Sequence, residues 1–126
     1  MDSSFKDMKV YKMSYALAME IFHLSKSFPK EEVYSLTSQI RRSSRSVCLN
    51  LAEAYRKRNY PNHFASKCTD VDAEASETTV SLDFAKDCSY ITPEIHQSLI
   101  KRYEEVGKML GGMIQHPEKF VPKKKQ

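Results

Sequence analysis

Apolar residues return along this chain in steps of three and four, the spacing that keeps them on one side of an α-helix. Val10, Leu17, Ile21, Leu24 and Phe28 form one stripe, with Tyr11, Tyr15, Ala18 and Phe22 on its flank. This predicts a first helix over about 6–27, ended at Phe28-Pro29 because a residue before proline is pushed away from helical dihedrals. Val33, Leu36, Ile40, Ser43, Val47, Leu51 and Ala54 predict a second over 30–58. Pro29 or Lys30 opens it, Glu31 and Glu32 suit its positive end, and Arg56–Arg58 suit its negative end.

"RNYPNHF" breaks the pattern, and Pro61 fits the first turn of a third helix over 61–89, where its missing N–H is not needed. Its stripe, Phe64, Cys68, Val71, Ala75, Thr78, Leu82 and Ala85, is thin, which lets a neighbouring helix come close. In "SYITPEI", Thr92 is placed to cap a fourth helix over 93–115, with Pro93 in its first turn. Ile95, Leu99, Tyr103, Val106, Leu110 and Met113 carry its apolar face. Gly111-Gly112 interrupts it, marking either close packing or early fraying. Four amphipathic helices with short connections define an all-α, antiparallel up-down-up-down four-helix bundle spanning 1–118, followed by a basic, disordered tail at 119–126.

Composition agrees with this architecture. With 126 residues the chain suits one domain, and only 3 Gly are available for the recurrent turns of a sandwich or barrel. The net charge is +4, but Lys123, Lys124 and Lys125 lie in the tail and the folded body is nearly neutral, so only local clustering could attract a polyanion. Three separated cysteines, Cys48, Cys68 and Cys88, argue for reduced, buried thiols in place of a disulfide framework or a metal knuckle. No apolar run approaches a signal peptide core or a membrane span, so the expectation is a cytoplasmic protein with no membrane partner.

Catalytic chemistry has no visible seat. His23, His63, His96 and His116 are scattered, the Glu-x-x-His pairs on two helices that a di-iron centre needs are absent, and no phosphate-cradling glycine loop occurs. Neither a metal nor a cofactor is expected. Cys48 beside Val47 reads as a small apolar core residue.

The informative stretch is "SQIRRSSRSVCLNLAEAYRKR". Gln39, Ser43, Ser46, Asn50 and Glu53 form a polar line beside the apolar seam of the second helix, which suggests a helix contacted on two sides. Arg41, Arg42 and Arg45 lie along it, and Asp70, Glu74 and Glu77 align at i, i+4, i+7 on the third helix. The two rows could pair within the bundle or between subunits. Gln39, Arg41, Arg42, Arg45, Asn50 and Glu53 are therefore candidates for a subunit interface. Arg56, Lys57 and Arg58, with Lys123, Lys124 and Lys125, are the candidates for nucleic-acid contact.

"FPKEEVYSLTSQIRRSSRSVCLNLAEAYRKR" resembles the FPxxExxxLxxQIRRAxxSIxxNIAEGxxR signature of the four-helix bundle family named for proteins encoded in 23S ribosomal RNA intervening sequences, also labelled S23 ribosomal protein. The match fixes Gln39, Arg41, Arg42, Ser46, Asn50 and Glu53 together; Ala54-Tyr55 and Leu51 depart from it. The resemblance implies a homopentameric ring without enzymatic activity. It also implies kinship with the accessory variability proteins of diversity-generating retroelements, basic pentamers that associate with RNA and a reverse transcriptase. The ribosomal label reflects gene location. Two functions remain open at this point: a nucleic-acid or nucleoprotein adaptor, and a purely structural oligomer.

Overall fold

A computed structural model of the chain describes residues 4–123. Four α-helices carry the fold: α1 (Lys9–Ser25), α2 (Leu36–Arg56), α3 (Pro61–Asp87) and α4 (Pro93–Gln115). Short 3-10 turns at Phe5–Asp7, Lys30–Glu32 and Pro117–Phe120 complete it. Among the described residues there is no strand.

Local chemistry sets several boundaries. The Thr92 hydroxyl accepts from the Ile95 N–H at 3.1 Å, and Pro93 occupies the first turn of α4. Ser4 and Asp7 form a reciprocal capping box on the first 3-10 turn. The second helix differs from its expected 30–58 span. Residues 30–32 form a separate 3-10 turn, and Ser35 lies outside helical dihedrals, so α2 starts only at Leu36.

The cause of that delay is tertiary. Glu32 accepts hydrogen bonds from the Ser35 hydroxyl at 2.6 Å and from the Tyr90 hydroxyl at 2.8 Å, the latter across the molecule. Phe28 packs beside the same Tyr90, with ring centroids 5.4 Å apart. Val33, expected in the buried seam, is consequently exposed, and Tyr34 is 94% exposed.

The α1–α2 and α3–α4 connections therefore share one end of the bundle. Phe5 meets Tyr11 and Tyr55 at the other end, where Phe120 stacks on Phe64 at 5.4 Å. That stacking corrects the expected tail: order and packing continue through Phe120, past the boundary at 118, because an aromatic ring finds an apolar surface to cover. Lys124 to Gln126 lie outside the described residues.

Contacts run α1–α2–α3–α4 and back to α1, and the diagonal pairs do not meet among the described residues. Successive helices are antiparallel. Arg42 reaches Glu74 and Glu77 while Glu53 reaches Lys67, so positions rise on α2 as they fall on α3. The shared core contains the apolar stripes of all four helices, including Leu17, Ile40, Leu51, Phe64, Leu99 and Leu110, each at most 1% exposed. Cys48 and Cys68 are buried, as their neighbours required, whereas Cys88 is exposed at the end of α3.

The thin seam of α3 faces α2. Thr78 is buried against α2, where it meets the buried Ser43. The Thr78 and Ser43 hydroxyls meet at 2.8 Å, and Thr78 also reaches the Glu74 carbonyl at 2.9 Å. These pairings offset the cost of burying hydroxyls and allow the two backbones a close approach.

Gly111 and Gly112 mark neither close packing nor fraying. α4 continues through both to Gln115, and a Cβ at either position would meet nothing within 4 Å. Both sites thus retain the backbone entropy cost of glycine without a packing return. Gly112→Ala is expected to stabilise the protein by about 0.4–1 kcal/mol, measured by urea unfolding.

The hydrogen bonds from Ser35 and Tyr90 hold the Glu32 carboxyl below its ordinary pKa. A lowered folded-state pKa gives stability that is complete above the unfolded value and is lost as pH falls through the folded one. Glu32→Gln should therefore lower Tm at neutral pH. The gap to wild type should close as pH is taken below about 4, the ordinary range for Glu; a gap independent of pH would contradict the assignment.

Candidate interaction face around helix α2

α2 displays the candidate residues on its outward ridge, and the bundle treats them unequally. Arg42 is drawn to α3, where its guanidinium contacts Glu77 at 2.8 Å and Glu74 at 3.4 Å. Both carboxylates raise its pKa and keep it charged. Glu53 pairs with Lys67 at 2.5 Å, and that contact lowers the Glu53 pKa. Asn50 donates to its own helix, to the Ser46 carbonyl at 2.8 Å. Gln39 is exposed beside the α2–α3 groove. Four of the six expected interface residues, Arg41, Arg42, Asn50 and Glu53, thus have polar partners within the chain. Their polarity does not by itself call for a second copy.

Arg41 and Arg45 turn the other way, toward α1. The Arg41 Nε donates to Ser25 Oγ at 2.7 Å, and its guanidinium lies 4.8 Å from the centre of the Phe22 ring. Arg45 approaches the same ring at 5.6 Å and Lys26 at 4.8 Å. Among the described residues no carboxylate stands within ion-pairing distance of these three cations.

At the far end of α2, Arg56 and Lys57 are exposed, while Arg58 folds back over the Tyr55 ring at 3.5 Å and donates to the Tyr55 carbonyl at 2.8 Å. The three therefore do not form one uniform cationic cluster. Lys123 is exposed; Lys124 and Lys125 lie outside the described residues.

Sequence reasoning missed the apolar component. Leu49 is 64% exposed and, with Tyr15 and Met19, borders a groove of about 380 Å³ between α1 and α2. Val80 and Phe84, the latter 59% exposed, border another of about 640 Å³ between α2 and α3. A signal was present: these positions are apolar yet lie off the stripes that build the core.

Among the described residues no cluster of His, Cys, Asp or Glu could hold a metal. Burial pushes the Cys48 and Cys68 thiols up to about 11, which keeps them protonated and poorly nucleophilic. No described helix is long and apolar enough to cross a membrane.

An antiparallel four-helix bundle with a charged and partly apolar outer face on its second helix defines a class of small all-α proteins. Within it, the chain belongs to the 23S rRNA-intervening sequence protein family, whose model matches residues 6–112. Its fold is similar to a crystal structure of a protein of unknown function from the S23 ribosomal protein family of Bacteroides thetaiotaomicron VPI-5482, with 29% identity and a TM-score of 0.75. That match covers 84% of this chain and 95% of the other. A comparison with curated proteins returned no match.

Proposed function

We propose that this protein is a non-catalytic, cytoplasmic adaptor that assembles from copies of itself and, as an assembly, engages nucleic acid or a nucleoprotein. The observation that carries the assembly is the pair of unlike apolar patches flanking α2: Tyr15, Met19 and Leu49 on one side, Val80 and Phe84 on the other. Large exposed apolar groups in contiguous patches favour burial against a partner. Two different patches on two flanks suit a head-to-tail contact, which generates a ring when the rotation closes. Five copies is the number implied by the family resemblance, and a reverse transcriptase bound to RNA is a partner of the same kind.

The polyanion half of the reading rests on cations that have no ion-pairing carboxylate among the described residues. Lys26, Arg41 and Arg45 lie near one end of α2, with Arg56 and Lys57 at the other. Repetition around an assembly multiplies weak contacts into useful avidity. In the alternative, a purely structural oligomer, the arginines are consumed by salt bridges to neighbouring subunits and nothing polyanionic is bound.

Light scattering on the purified chain is expected to give a mass several times that of one copy. Leu49→Glu and Phe84→Glu, each at an exposed site, should reduce it toward a monomer with helicity unchanged; a monomeric wild type would remove the assembly. Binding to single-stranded RNA should weaken roughly tenfold or more between about 50 and 200 mM salt, the signature of phosphate contacts. Absence of binding at low salt leaves the structural oligomer.

A further inference from the structure

Tyr34 is 94% exposed, an unusual position for an aromatic ring in a helical bundle. It stands at the head of an open groove of about 550 Å³ that follows the outward face of α2 past Thr37, Ser38, Arg41, Arg45 and Leu49. From Thr37 to Leu49 that path is roughly 20 Å at the helical rise, the length of a few nucleotides.

Arg41 and Arg45, which line this groove, are held in place, and Lys26 stands beside them on the Phe22 ring, outside the lining. Arg41, Arg45 and Lys26 converge on the Phe22 ring, at 4.8, 5.6 and 4.8 Å from its centre, and Arg41 is further fixed by Ser25. All three charges therefore lie within about one Debye length of one another at ordinary ionic strength. Among the described residues none has a carboxylate partner, although Arg42, one position along the helix, has two. Like charges gathered without a counterion repel, and an external anion lying over them relieves that repulsion.

We propose that this groove is a binding site for single-stranded nucleic acid, with Lys26, Arg41 and Arg45 contacting phosphates and Tyr34 stacking on a base. The inference rests on the nucleic-acid half of the function proposed above and narrows its contact surface to the N-terminal part of α2, leaving out Arg56 and Lys57. A positively charged track combined with an exposed aromatic platform is the arrangement that binds single strands with little sequence preference. In a duplex the bases are already stacked on one another and present no free face to Tyr34.

The test is fluorescence anisotropy with a labelled ten-nucleotide single-stranded RNA at low salt, with the mass of every variant followed by light scattering. Lys26→Glu combined with Arg45→Glu should weaken binding tenfold or more, and Tyr34→Ala about fivefold or more. Lys101→Glu combined with Lys108→Glu makes the same charge change on α4 and should stay within about threefold of wild type. On the wild-type assembly, a 4-thiouridine RNA should crosslink to the Val33–Leu49 segment. Crosslinks confined to other segments overturn the site, as does a loss of binding seen only in Arg56→Glu with Lys57→Glu, or an equal loss in the α4 control; the nucleic-acid function then stands. Stronger competition by polyglutamate than by RNA assigns the groove to an acidic protein surface. A wild type that binds no RNA removes both the site and the function.

Discussion

The close approach of α2 to α3 is the constraint from which the remaining arrangement follows. Small side chains meet there: Ser43 on one helix and Thr78 on the other. Because hydroxyls occupy part of that interface, they must be paired, and the 2.8 Å Ser43–Thr78 contact with its link to the Glu74 carbonyl does this. Bulkier residues from α1, α2 and α4, such as Leu17, Leu51 and Leu110, then fill the centre.

That seam also decides the fate of the charges. With α3 drawn close, Glu74 and Glu77 come within reach of Arg42, and Lys67 within reach of Glu53. Exposed pairs of this kind contribute only about 0–1 kcal/mol each. Their effect is to settle register and to neutralise part of the arginine row. Arg41 and Arg45 point to α1, where an aromatic ring and a serine hydroxyl stand in place of carboxylates. One short sequence, "RRSSR", thus divides into an internally neutralised arginine and two with no carboxylate partner among the described residues.

Residues off the core stripes give the bundle its outward character. Tyr34, Leu49, Val80 and Phe84 contribute little to folding of a single copy, since each is largely exposed. They lie on the faces that border α2, beside the grooves. Family membership and the similarity to the Bacteroides protein agree with this fold, while the face is built from this chain's own residues.

The helical periodicity alone determined the number of helices, their type and the core stripes, because burial of a 3.6-residue repeat has one solution when four such faces must share an interior. Thr92-Pro93 at the start of α4 was legible for the same local reason: a side-chain cap and a preset dihedral act within one turn. Tertiary structure decided what depends on distant groups. Tyr90 holds Glu32 and postpones α2 to Leu36; Phe64 offers a surface on which Phe120 becomes ordered; Phe22 gathers Lys26, Arg41 and Arg45 from two helices. Apart from Phe22–Lys26, an i, i+4 pair on α1, none of these contacts is encoded in a local spacing, since each joins side chains that only the packed bundle brings within reach.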